Sequence, residues 1–157
     1  PRAVLKSPVQ LKISLEEVLN FLSEEVRKRE VVVERRFETV PAIRGDGAKL
    51  QQLFLNLFLN ALDAMPEGGT LRLSLECCDP TEVEVRIADT GTGIPSEALP
   101  KVFEPFFTSK PRGKGSGLGL AVAKGIVSDH DGRIDVASEL GKGTEFLVSF
   151  PVEGTAE

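Results

Sequence analysis

The stretch LQQLFLNLFLNALDAMPEGG, residues 50–69, constrains the fold of this chain more than any other segment. At about 100° per residue, Lys49, Gln52, Asn56, Asn60 and Asp63 fall within one narrow sector of a helix. Leu53 lies beyond one edge of that sector, Leu55 and Leu59 lie beyond the other, and Leu50, Phe54, Leu57, Phe58, Ala61 and Leu62 cover the remaining circumference. A helix that is apolar nearly all round is buried, so the rest of the chain must wrap it. Its polar strip reads either as the surface of an ordinary amphipathic helix or as one wall of a polar ligand cleft. Asp46 can cap its start, and Pro66 followed by Gly68 and Gly69 stops its end.

The 157 residues suit one compact domain with a real core. With 41% apolar and 27% charged residues, the chain reads as soluble and globular. A net charge of −5 gives no overall attraction to nucleic acid or anionic membranes. No apolar run has the length of a membrane span, and no signal peptide is seen. The chain starts at Pro1 rather than Met, as an excised fragment would, and its parent is left open to membrane anchoring. Cys77 and Cys78 are adjacent on an expected strand, so their side chains point to opposite faces. With one His in the chain they do not suggest zinc and read as reduced, core-packing thiols.

Around the central helix, residues 14–30 read as a helix, with Ser14 and Glu17 in a capping-box pattern. Strands are expected at 31–38, 70–77, 82–89, 133–139 and 144–152, and a third helix at 117–130. That order predicts an α+β fold: a two-layer sandwich with one mixed sheet of about five strands, covered on one face by three helices. The other sheet face is expected to be exposed or docked. No internal repeat is seen, and a long stretch around PSEALPKVFEPFFTSKPRGKG lacks regular pattern.

The glycines carry the chemistry. DTGTGIP (89–95) follows directly on a strand and by itself reads as a turn. GKGSGLGL (113–120) opens a helix, where backbone N–H groups can approach phosphate oxygens. It fits neither a P-loop nor a dinucleotide fingerprint. GKGTEF (141–146) reads as a hairpin turn. Each signal is weak alone; the ordered set is strong.

In that order the motifs closely resemble the ATP-binding catalytic domain of bacterial sensor histidine kinases. Those kinases share a superfamily with the ATPase domains of DNA gyrase, MutL-type repair proteins and certain heat-shock chaperones. LFLNLFLNALDAM resembles the family's asparagine box and ADTGTGIP its first glycine box. FEPFFTSK resembles the phenylalanine box of the lid. GSGLGLAVAKGIVSDHDGRI and GKGTEF resemble its later glycine elements. The form is most similar to the nitrogen-regulation type.

The resemblance implies a Bergerat-type fold over residues 13–152, with 1–12 a connector from a missing dimerisation helix and 153–157 a tail. It implies ATP and Mg²⁺ as ligands. Asn60 would coordinate the metal and serve catalysis with Lys110, and Asn56 would support the site. Asp89 would accept from the adenine amino group, with Gly91, Gly93 and Ile94 at the base and Thr144 closing its side. Lys110 and the N–H groups of Ser116, Gly117, Leu118, Gly119 and Leu120 would meet the phosphates. Phe103, Phe106 and Phe107 would anchor the lid. Asp63 stands where some relatives carry a phosphate-contacting Lys, and is not counted as a ligand.

The implied reaction is transfer of the ATP γ-phosphoryl to a histidine on a separate dimerisation domain, for relay to a response regulator receiver domain. The parent would be a homodimer and the isolated domain a cytoplasmic monomer with no nucleic-acid partner. His130 reads as structural rather than as the acceptor. Two alternatives stand beside it: a nucleotide-binding module without turnover, disfavoured by the intact Asn60, Asp89 and second glycine box, and an anti-sigma-type serine kinase, which would share the fold but is disfavoured by the phenylalanine box.

Overall fold

The computed structural model describes residues 6–107 and 119–152. In chain order its elements are β1 (Ser7–Val9), α1 (Leu11–Phe21), α2 (Ser23–Lys28), β2 (Val31–Phe37), β3 (Ile43–Gly45) and α3 (Gly47–Asp63). Then follow β4 (Gly69–Asp79), β5 (Glu82–Asp89), a 3-10 turn at Leu99–Lys101, α4 (Gly119–Asp129), β6 (Arg133–Glu139) and β7 (Gly143–Pro151).

Helix α3 is the axis of the core. Leu50, Leu53, Phe54, Leu57, Phe58, Ala61 and Leu62 are all buried, as their spread around the helix requires. The Asp46 side chain accepts from Ala48 N–H at 3.1 Å and Lys49 N–H at 3.3 Å, and so caps the helix start as expected. The chain then returns as β4, and the strands order as β2-β4-β5-β7-β6. The β2–β4 pair is parallel and the others antiparallel, giving the mixed five-stranded sheet that the sequence predicts.

Alternation decides the faces. Leu71, Leu73, Leu75, Val83, Val85, Ile87, Phe146, Val148 and Phe150 point to the helices and are buried. The opposite face carries cross-strand ion pairs: Arg72 with Glu34 at 2.9 Å, Arg86 with Glu145 at 2.8 Å and Arg133 with Glu82 at 3.1 Å. Pairs this exposed contribute about 0–1 kcal/mol each and mark a solvated surface. Cys77 packs partly against the core, whereas Cys78 is exposed on the charged face. Both cysteines are free, but only Cys77 fits the core-packing expectation, because neighbours on a strand cannot share a face.

Two readings need correction. The first helix starts at Leu11, not Ser14, because Leu11 is fully buried and extends the apolar stripe by one turn. Ser14 lies inside the helix, and Gln10 is the cap residue, with no side-chain capping bond. The capping box therefore does not form. That helix also breaks at Leu22 into α1 and α2. The second correction adds a two-stranded sheet of β1 and β3, Ser7 opposite Gly45 and Val9 opposite Ile43. Three residues per strand are too few to show a period in sequence.

Candidate functional site

The end of β5 and the loop after it form the best-defined polar site. Asp89 closes the strand and is only 7% exposed. Its carboxylate accepts from Gly91 N–H at 2.8 Å and from the backbone N–H of Thr144. Burial pushes its pKa above the ordinary carboxylate value, and the two N–H donors oppose that rise. A carboxylate kept this dry, yet not fully compensated, is poised to take a further hydrogen-bond donor.

The loop that follows is held by its own backbone. Thr90 N–H reaches Thr70 O at 3.2 Å, and Thr92 N–H reaches Ala64 O, at the end of α3, at 3.0 Å. Gly141 N–H donates to Thr92 O at 2.7 Å, and Ile94 N–H to Ser138 Oγ at 2.7 Å. The first glycine motif is therefore a preformed cradle between α3 and the β6–β7 hairpin. Its glycines are required by protein packing. A Cβ on Gly93, where φ is +76°, would stand 2.2 Å from Glu139 O. One on Gly91 would meet Ala64 O at 2.3 Å, and one on Gly143 would meet Asp89 O at 2.0 Å. The GKGTEF hairpin is thus pressed directly onto the Asp89 backbone.

The helical wall of the site is α3 with α4. Asn56 and Asn60 are half-buried, between the core residues and the exposed rim. Asn56 Nδ2 donates to Gly119 O at 3.1 Å, tying the polar strip to the start of α4. At Asn56 the strip therefore meets the first residue of α4 rather than open solvent. Leu120 packs against the core just beyond that start. Lys110, Ser116, Gly117 and Leu118 lie outside the described residues.

At its other end α4 is tied to α3 by His130. The ring is 3% exposed; Nδ1 lies 2.8 Å from Ile126 O, and Nε2 accepts from Asp46 N–H at 3.0 Å. A carbonyl can only accept, so Nδ1 carries the proton and the ring is neutral. Both nitrogens are engaged, which agrees with a structural His130 rather than a phosphoacceptor. Asp131 takes a left-handed φ of 58°, a conformation Asp tolerates better than most residues where Gly is more usual. Asp63 pairs with Arg29 at 3.0 Å, and the same guanidinium caps Leu62 O at 3.0 Å, so this carboxylate serves the end of α3.

Phe103 packs edge-on against Phe146, ring centroids 6.2 Å apart, beneath the Lys124 ammonium. Phe106 is exposed. The residue that sequence reading missed is Ser138. It lies opposite Thr144, their hydroxyls 2.8 Å apart, and it also donates to Gly143 O at 2.8 Å. One signal was available: in RIDVASE the inward positions are Ile134, Val136 and Ser138, and a hydroxyl on a core face needs partners.

The family model described as histidine kinase-, DNA gyrase B- and HSP90-like ATPase matches residues 45–154. The sensor histidine kinase ZraS of Escherichia coli (strain K12) is 35% identical over 158 residues, covering 99% of this chain and 33% of ZraS. Among solved structures, the mycobacterial sensor histidine kinase MprB superposes with a TM-score of 0.81 at 32% identity, covering 93% of this chain and 97% of that one. Full-length ShkA in complex with AMPPNP superposes with a TM-score of 0.86 at 27% identity, covering 99% of this chain and 33% of that one. The chain spans only 13% to 36% of the length of the curated relatives it matches.

Proposed function

The chain belongs to the histidine kinase-, DNA gyrase B- and HSP90-like ATPase family, as an ATP-binding domain of the sensor histidine kinase kind, and from that premise we propose that it binds Mg·ATP and passes the γ-phosphoryl to a histidine on a separate dimerisation domain. The observation that carries this reading is the dry carboxylate of Asp89 inside a prebuilt glycine cradle. Ionised, it can only accept, so it takes the 6-amino group of adenine and rejects the 6-oxo group of guanine.

Asn60 would hold Mg²⁺ through its amide oxygen. Half-buried, on a strip that Asn56 ties to Gly119 at the start of α4, it offers the hard oxygen donor such an ion takes. When bound, the ion supplies charge neutralisation for the phosphates. Lys110 and the backbone N–H groups of Ser116, Gly117, Leu118, Gly119 and Leu120 would take the phosphate oxygens. The chain itself contributes position: one wall from α3, one from the start of α4, and the base fixed at Asp89.

In this reading the catalytic domain takes in β1 and runs to residue 152, because β1 pairs with β3 and Leu11 lies in the core, so the boundary expected at residue 13 falls inside α1. The phosphoryl group would pass to a response regulator receiver domain. No helix among the described residues is long and apolar enough to cross a membrane. We place the domain in the cytoplasm, as part of a homodimeric kinase with room for a membrane anchor.

The test mixes this chain with a dimerisation-domain fragment of its parent and Mg·ATP. Acid-labile phosphate on that fragment is the expected result. Tight ATP binding without phosphohistidine would make the domain a binding module instead.

A further inference from the structure

Asp89, Thr144 and Ser138 stand in one cross-strand row, one from each of β5, β7 and β6. Residues directly opposite in an antiparallel pair keep their side chains on the same face, about 5 Å apart at Cβ. Asp89 and Thr144 are both nearly fully buried. The hydrogens along this row can be counted. Gly143 O is a carbonyl and can only accept, so the Ser138 hydroxyl proton is spent on it. Ser138 Oγ also accepts from Ile94 N–H at 2.7 Å. One lone pair remains, and the Thr144 hydroxyl is 2.8 Å away. With the Ser138 proton already committed, Thr144 must be the donor. Its own oxygen then has only lone pairs left to offer.

We propose that Ser138 is a specificity-determining positioning residue: it orients the Thr144 hydroxyl so that Thr144 and Asp89 present a pair of acceptors to the purine's six-position. This rests on the reading above, that Asp89 receives the base. Ser138 does not touch the ligand. It also pins the wall residue Ile94 through the backbone, so one hydroxyl sets both the shape and the hydrogen-bond polarity of the pocket. A free Thr144 hydroxyl could turn and donate, and would then welcome a 6-oxo purine. Held by Ser138, it adds to the rejection that Asp89 begins.

The test is a pair of titrations by calorimetry on the whole chain, with Mg·ATP and Mg·ITP, whose bases differ in amino against oxo at the six-position and in the proton that N1 carries in the 6-oxo base. The unsubstituted chain should prefer ATP. Ser138→Ala should shrink the ATP-to-ITP affinity ratio about three- to tenfold, the scale of one hydrogen bond gained or lost, and Ser138→Thr should restore it. A general loosening of the fold would weaken both ligands alike and leave the ratio unmoved. An unchanged ratio in Ser138→Ala overturns the proposal, even if both affinities fall. No preference in the unsubstituted chain would instead overturn the assignment of Asp89 to adenine. Should Ser138→Ala fail to fold, Thr144→Val interrogates the row from its other end: a smaller ratio supports the acceptor pair and an unchanged one refutes it.

Discussion

Replacing Asp89 by Asn changes one oxygen into an NH₂ group on a side chain whose residue is only 7% exposed. The carboxylate now accepts from Gly91 N–H and Thr144 N–H. An amide oxygen can keep one of these donors, but the new nitrogen faces donors on its side, the adenine amino group among them. The loss is a charge-assisted hydrogen bond, about 1.5–3 kcal/mol, or roughly ten- to hundredfold in ATP affinity. Stability receives two opposed contributions, and the backbone N–H that loses its acceptor lowers it. Burial holds the Asp89 pKa above its ordinary value, so ionisation at neutral pH costs the folded state free energy that Asp89→Asn removes.

The two pH dependences therefore run in opposite directions. A raised folded-state pKa means that Asp89 contributes most to stability below the ordinary carboxylate value, a contribution lost as pH rises through its raised value. Adenine binding needs the ionised form and strengthens over that same window. Calorimetric titration with Mg·ATP across acid pH, beside urea melts, reads both. The Asp89→Asn variant serves as the blank for titration of the triphosphate itself. If this variant folds and binds ATP within about twofold of the unsubstituted chain, the carboxylate does not read the base and the pocket is wrongly placed.

Gly93→Ala puts a methyl 2.2 Å from Glu139 O at a φ of +76°, so the cradle must open. A cost of about 1–3 kcal/mol in urea unfolding, with loss of ATP affinity, is expected. His130→Phe leaves Asp46 N–H without its acceptor at the start of α3. It should lower stability by about 1–3 kcal/mol, and hydrogen exchange at the N-terminal turn of α3 should quicken. Cys78, beside Glu84 and Glu76, has its thiol pushed up to about 12. Its alkylation at neutral pH should be slow, and Glu84→Gln should speed it, as mass spectrometry of the labelled chain would show.

The sequence alone determined what depends on near neighbours along the chain. The extent of α3, its Asp46 cap, the alternation of β4 through β7 and the polar strip at Asn56 and Asn60 follow from periods of 3.6 and 2. So did Asp89 at the end of its strand. The order of the motifs carried the family. Where local signals were short or ambiguous the reading failed: β1 and β3 are three residues each, and Ser14 resembled a cap although Leu11 was already buried.

Only the tertiary structure decided who meets whom across the sheet and between helices. Register joins Asp89 to Thr144 and Thr144 to Ser138, residues up to 55 positions apart. Helix packing brings His130 to Asp46 and Asn56 to Gly119. Hydrogen-bond polarity in a buried row depends on every member being counted, and the members come from separate strands. No local propensity encodes that, because it exists only once the backbone has closed around it.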